Sequence, residues 1–260
     1  MKIATWNVNS VKARLETVVA WLKETSPDVA CFQEIKCQDD AFPRHAFEDL
    51  GYNCAVHGQK TYNGVAVLSK RPIEDATPRL PGGDGDDHAR YLEVAVPGRT
   101  STVRVASIYA PNGNPIGTEK FDYKLKWLDR LAGRASGLLA NEEPVVLMGD
   151  YNVIPEPEDC WDPKAWMEDA LFQPESRSAL RRIEYLGYTD AFRACHAETH
   201  RYTFWDYQAG AWQKDHGIRI DHVLLSPQAA DRLRACGIDR HVRGWERPSD
   251  HVPVWCELDI

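Results

Sequence analysis

The sequence lacks the marks of a secreted or membrane-spanning protein. No apolar stretch approaches the ~18 residues that a bilayer-crossing helix needs. The opening MKIATWNVNSVKAR has no apolar signal core, so secretion is not expected. Cysteine occurs seven times, an odd number, and never as C-x-x-C. That argues against a disulfide framework and a thiolate zinc site, and for a reduced, cytoplasmic setting. Cys31 and Cys256 sit in apolar runs, where a thiol behaves as a small hydrophobe. A basic excess is missing too: 31 Lys and Arg face 39 Asp and Glu, for a formal net charge of −8. This speaks against a general nucleic-acid coat. It does not exclude DNA, because a metal-dependent site is itself acid-rich. Loose basic groups stand at Lys120, Lys124 and Lys126, and at Arg240, Arg243 and Arg247; either set also reads as a solvated face. Low-complexity segments and internal repeats are absent.

What is present is a chain of 260 residues, 43% hydrophobic, enough for a large core in one domain spanning 1–260. Strand-like runs recur near 2–8, 28–33, 53–57, 64–69, 90–96, 102–109, 144–149, 219–225 and 252–258. Ser10 is placed to cap a helix carrying Leu15, Val18, Val19 and Leu22, stopped near Pro27. Phe121, Leu125, Leu128, Ala132, Ala135 and Leu139 keep a helical period from about 118 to 139. Ser226-Pro227 reads as the start of a third helix ending before Gly237, and a shorter one is expected near 177–186. PGGDGDDHAR at 81–90 reads as a surface loop. The stretch 153–176, with Trp161, Trp166 and Phe172, reads as an ordered loop packed on the body. Many strands with few amphipathic helices fit two packed sheets with helices outside.

Five apolar runs end in, or begin from, residues able to do acid or hydrogen-bond chemistry. KIATWNVN ends at Asn7 and Asn9, DVACFQE at Glu34, VRVASIYAPN at Tyr109 and Asn112, and VVLMGDYNV leads to Asp150 and Asn152. Ser249, Asp250 and His251 stand directly before the last strand. One such coincidence is ordinary; five imply a shared rim. Glu34 and Asp250, with the amide oxygens of Asn7 and Asn9, suit a hard ion such as Mg²⁺ or Mn²⁺. Zinc fits less well, with one His and no Cys. Asp150 can take a proton from water while Asn152 holds the water or a phosphate oxygen, and His251 can donate to a phosphoryl oxygen. Asp221, in an alternating apolar run, is costly to bury without a partner, and a histidine is the obvious one. Taken singly, each residue has a plainer reading. GDYN is a turn, SDH a lead-in to a strand, Glu34 a cap, Tyr109 packing, and Asp221 a salt bridge to Arg219 or His222.

Six segments in order, WNVNSVKAR at 6–14, QEIKC at 33–37, YAPNGNP at 109–115, GDYNV at 149–153, RIDHVLLS at 219–226 and SDHVPV at 249–254, resemble the exonuclease III family. That family comprises magnesium-dependent apurinic/apyrimidinic endonucleases of the endonuclease/exonuclease/phosphatase superfamily. The resemblance covers the whole chain. It implies a four-layer α/β sandwich, two mixed β-sheets face to face with helices outside. It implies a metal set of Asn7, Glu34, Asp150, Asn152, Asp250 and His251, with Glu34 the main ligand and Asn9 where some relatives carry Asp. Asp150 would orient or deprotonate the attacking water, or hold a second metal. Asn152 would steady the transition state, Tyr109 would bond the phosphate or leaving oxygen, and Asp221 would brace His251. Phe204, Trp205 and Ile218 would form an apolar slot for a flipped, baseless sugar, with Asn112 and Lys120 at the DNA backbone. The aromatics also read as core.

The reaction implied is hydrolysis 5′ to abasic sites in double-stranded DNA, with removal of 3′ nucleotides and 3′ blocking groups, by a cytoplasmic monomer. Two alternatives use the same scaffold: a phosphatase or phosphodiesterase of the superfamily, and a non-catalytic nucleic-acid-binding regulator. Completeness of the site favours the enzyme.

Overall fold

The computed structural model describes residues 1–83 and 85–260; Asp84, in the expected 81–90 loop, lies outside the described residues. The strands are β1 (Lys2–Asn7), β2 (Val29–Gln33), β3 (Asn53–His57), β4 (Val65–Ser69), β5 (Glu74–Pro78) and β6 (Tyr91–Pro97). They continue with β7 (Thr102–Tyr109), β8 (Val145–Asp150), β9 (Thr189–Asp190), β10 (Asp221–Leu225), β11 (Leu233–Ile238) and β12 (Val254–Leu258). They form two six-stranded sheets, ordered β11-β12-β1-β2-β4-β3 and β5-β6-β7-β8-β10-β9. Each is mixed: β1–β2 and β7–β8 are parallel and the other pairs antiparallel.

Three apolar clusters make four layers. Ile3, Val29, Cys31, Val65 and Val67 of the first sheet meet Val94, Val105, Val146, Met148 and Val223 of the second. Behind the second sheet, Ile108, Leu147 and Leu224 pack on Trp127, Leu128 and Leu131 of the helix Glu119–Leu139, and on Leu180 and Ile183 of the helix Pro174–Tyr185. Behind the first, Trp6, Ala30, Phe32 and Leu68 pack on Val18, Trp21 and Leu22 of the helix Leu15–Thr25. Both faces of the inner strands are covered, so β8 is buried along its whole length, as its unbroken VVLMG requires.

Three expectations fail locally. Ser10 does not cap the first helix, which starts at Leu15 with Arg14 at its N-cap position. Instead the amides of Val8, Ser10 and Val11 bond the carbonyls of Gln33, Glu34 and Ile35, so the chain keeps pairing past the end of β1. The helix begun at Ser226-Pro227 stops at Ala230, and Leu233–Ile238 turns into β11. Pairing with β12, Cys236 against Cys256, outweighs the weak local preference of that short segment. The edge strand β5 was missed because it is largely exposed, ends in Pro78 and carries no apolar alternation.

Candidate active site at the strand ends

Strand pairing brings the five chain segments to one rim. Parallel register sets Asn7 beside Gln33, the residue before Glu34, and Tyr109 beside Asp150. Antiparallel register sets Asp221 opposite Asp150. Gly149 lets β8 lie against β7 here, since a Cβ would sit 1.9 Å from Ile108 O. Glu34 and Asn152 follow their strands with left-handed backbone, φ 49 at each, a strained conformation that turns their side chains back toward the rim.

Asn7 ties the two sheets together. Its Nδ2 donates to Glu34 Oε1 at 2.9 Å and to Asp150 Oδ2 at 3.0 Å. Asn9 Nδ2 donates to Asp250 Oδ1 at 3.0 Å. The Ser249 hydroxyl donates to Asn7 O at 2.7 Å, and the Trp6 indole to His251 O at 3.0 Å, so the last strand is locked onto the first. Asn152 donates its amide N–H to Asp150 Oδ1 and its Nδ2–H to Ala110 O. Glu34, Tyr109, Asn112, Asp150, Asn152, Phe204, Ile218, Asp250 and His251 line one cavity of about 300 Å³.

Asp221 takes the histidine partner. His251 Nδ1–H donates to Asp221 Oδ2 at 2.9 Å, while His251 Nε2 lies 3.8 Å from Asp150 Oδ2. Burial alone would lower the pKa of His251, but Asp221 and then Asp150 outweigh it and push it up to about 10. Burial raises Asp150 above the usual carboxylate range, and Asp221 and Glu34 add to that against the pull of His251. Burial opposes ionisation of Glu34 as well, yet the Lys36 ammonium and the Asn7 amide hold it below the usual range. An acid that holds its proton more tightly than usual thus faces an imidazolium, the division of labour that acid–base chemistry on a phosphate needs.

Two groups could hold a metal. The ligand atoms of Asp150, Asp221 and His251 lie within 4.8 Å of one another. However, His251 spends Nδ1 on Asp221, and the pair of acids favours its protonated form. This trio is therefore better suited to moving a proton. The oxygens of Glu34, Asn7, Asn9 and Asp250 suit a hard ion, and a cation already touches two of these groups: Lys36 Nζ lies 2.8 Å from Glu34 Oε2 and 2.6 Å from Asn9 Oδ1.

Trp205 is a correction. It is 0% exposed, packs with Tyr202, Ala211 and Val252, donates to Asp215 Oδ1, and is not in the cavity wall. Phe204 and Trp205 are neighbours on extended chain, so only one of them can face the cavity. Phe204 does, with its ring edge-on to His251 at 5.0 Å. Trp166, Leu171 and Ile220 complete the apolar wall. Trp166 comes from the Trp-rich loop at 153–176, whose composition was the signal for it. Lys36, two residues past Glu34, was missed as well. Lys120 is exposed at the start of the helix Glu119–Leu139, outside the cavity. Each loose basic set loses its middle member to the interior: Lys124 is fully buried, and Arg243 is buried against Trp205 O.

Arg219 holds this wall from behind. It is buried, bonds Asp159 at 2.8 Å and Asp190 at 2.8 Å, and accompanies His222, whose Nε2–H donates to Val153 O at 2.9 Å. Burial and then Arg219 push the pKa of His222 down to about 4. An unfolded histidine takes its proton near 6.5. Neutral His222 therefore supports the fold fully above pH 6.5, and that support is lost as pH falls toward 4. Urea unfolding of the protein and of His222→Gln is expected to diverge by about 3 kcal/mol between pH 7 and pH 4, the protein losing more. A difference independent of pH would refute this.

A larger cavity, about 440 Å³, lies on the far side of Trp205 between Phe192, Arg201 and Trp255. Two of its polar groups are already engaged, His196 with Cys236 O and Asp239 with the indoles of Trp21 and Trp255.

Comparison with known proteins decides the family. The sequence profile of the endonuclease/exonuclease/phosphatase family matches residues 4–251. The chain belongs to this family. Exodeoxyribonuclease III of Haemophilus influenzae is 32% identical over 266 residues, covering 99% of this chain and 100% of that one. The structure of an AP endonuclease from Archaeoglobus fulgidus superposes with a TM-score of 0.94 at 37% identity, covering 100% of both chains. A 3′ phosphatase from Neisseria, bound to product DNA hairpin, superposes with a TM-score of 0.96 at 38% identity, again over 100% of both chains.

Proposed function

We propose that this chain is a DNA-repair nuclease of the exodeoxyribonuclease III type. It hydrolyses the phosphodiester 5′ to abasic sites and trims 3′ nucleotides and 3′ blocking groups, acting as a cytoplasmic monomer on duplex DNA. The observation that carries the chemistry is the Asp221–His251–Asp150 alignment beside Asn7 and Glu34. The names of the full-length relatives support DNA as substrate.

Asp150 accepts a proton from, or orients, the attacking water. The His251 imidazolium, held by Asp221, donates through Nε2 to a non-bridging phosphate oxygen. The Asn152 amide and the Tyr109 hydroxyl meet the charge that grows as the phosphate becomes five-coordinate, with preset donors rather than reorganising water. Burial and then Glu34 raise the pKa of Tyr109 well above its ordinary value, so its hydroxyl stays a donor. Glu34, with Asn7 and Asp250, would hold Mg²⁺ or Mn²⁺, which supplies a Lewis acid for the phosphate charge when bound. Phe204, Ile218, Trp166 and Leu171 give an apolar wall that favours a sugar without its base.

The test is a duplex carrying one abasic analogue, and matched duplexes with plain and 3′-phosphate ends, incubated with Mg²⁺ or with chelator. Metal-dependent products from the abasic duplex are expected; intact DNA in every arm would remove the proposal. The wall has its own test. Ile218 is fully buried between Cys160 and Phe204, so Ile218→Trp must push into the cavity. The ratio of 3′→5′ exonuclease rate to abasic incision is expected to fall about 10- to 200-fold while incision survives. If both activities drop together, Ile218 serves packing alone.

A further inference from the structure

The helix Glu119–Leu139 buries Trp127, Leu128 and Leu131 against the second sheet, and it also buries Lys124 completely. A buried amine is expensive unless other acceptors replace its water, and burial pushes the pKa of Lys124 down to about 7 against the pull of Asp150 and Asp169. Here Nζ donates to Asn112 O at 3.0 Å and, more closely, to Asn152 O. Those carbonyls belong to two different loops, one following β7 and one following β8. Each loop carries an asparagine that lines the catalytic cavity.

The arrangement is built around this contact. Gly113, φ 89, leaves room for the lysine stem: a Cβ there would lie 2.5 Å from Lys124 Cδ. Asn152 is strained at φ 49, so its backbone needs outside support. Beyond that, the Asn112 amide donates to Asn152 Oδ1 at 3.4 Å, so any drift between the loops reaches the Asn152 side chain directly. The same packing could be had from an apolar chain of equal length, which makes the amine donor itself the feature to explain.

We propose that Lys124 is a positioning residue for the nuclease reaction: its Nζ clamps the Asn112 and Asn152 main chains together and so aims the Asn152 amide into the cavity. The inference rests on the nuclease reading above. Lys124→Met keeps the length and removes the donor. It is expected to lower kcat on the abasic duplex about 10- to 100-fold with KM within about threefold. Lys124→Gln, able to donate to one carbonyl, is expected to fall between the two. In an Asn152→Ala background the same Lys124→Met change is expected to alter kcat less than about threefold, because the group it positions is gone. A full multiplicative loss in that background, or an unchanged kcat in the single variant, overturns the proposal. So does loss of fold in both variants by circular dichroism, which would make Lys124 a stability residue. A readout free of turnover is the ¹H–¹⁵N signal pair of the Asn152 side-chain amide. It is expected to shift in Lys124→Met, and an unmoved pair counts against the clamp. If the parent protein cleaves no DNA, the nuclease reading fails, while the amide signals still decide the clamp.

Discussion

Asp150→Asn is expected to lower kcat about 10²- to 10⁴-fold near pH 7 while KM changes little. Asp150 is 1% exposed and accepts two hydrogen bonds, of which an isosteric amide can keep one. One oxygen accepts from Asn7 Nδ2, the other from the Asn152 backbone. What the substitution removes is basicity and charge. Burial already raises the pKa of Asp150, with Asp221 and Glu34 adding their repulsion, so the native group is poised to accept a proton. The variant should still fold, since relief of repulsion among three crowded acids offsets the lost acceptor. Steady-state kinetics with a melting curve check both points. A raised KM at unchanged kcat would show that Asp150 only binds substrate.

The second large effect belongs to Glu34→Gln, for which metal-dependent cleavage is expected to drop by at least about 10²- to 10³-fold. Glu34 is bonded to Asn7 on one side and Lys36 on the other. Glutamine retains the oxygen that accepts from Asn7 but offers a hard divalent ion no charge. Binding of Mn²⁺, followed directly by calorimetry, should weaken in parallel while the melting temperature holds. Full activity and full Mn²⁺ binding in folded Glu34→Gln would remove this residue from the metal site.

Much of the site was legible because strands end abruptly. Asn7, Glu34, Tyr109 and Asp150 each stand where a fully buried run stops, and a polar side chain there has only the rim to occupy. The cavity wall was harder. In YTFWDY two adjacent aromatics compete for one face, and the sequence does not say which side of extended chain is core. Packing on Tyr202 and Val252 took Trp205 inward and left Phe204 at His251. Lys124 misled for the opposite reason: lysine ordinarily faces water, and only the meeting of two loops over it supplies acceptors that offset its burial.

By itself the sequence determined the chemistry available: hard oxygen donors, one imidazole, an apolar wall, and thiols without pairing pattern. All seven cysteines are free in the structure. The order of its motifs also determined the family and hence the sandwich. Tertiary structure decided the partnerships. Asp221 had Arg219 and His222 as near neighbours in sequence, yet Arg219 went to Asp159 and Asp190, His222 to Val153 O, and Asp221 to His251. Asn7 came to bridge Glu34 and Asp150 from opposite sheets. The physical reason is one of range. Strand periodicity and turn chemistry act over a few residues, whereas pairing across 30 to 240 positions is set by sheet register and by the cost of leaving a buried charge without a partner.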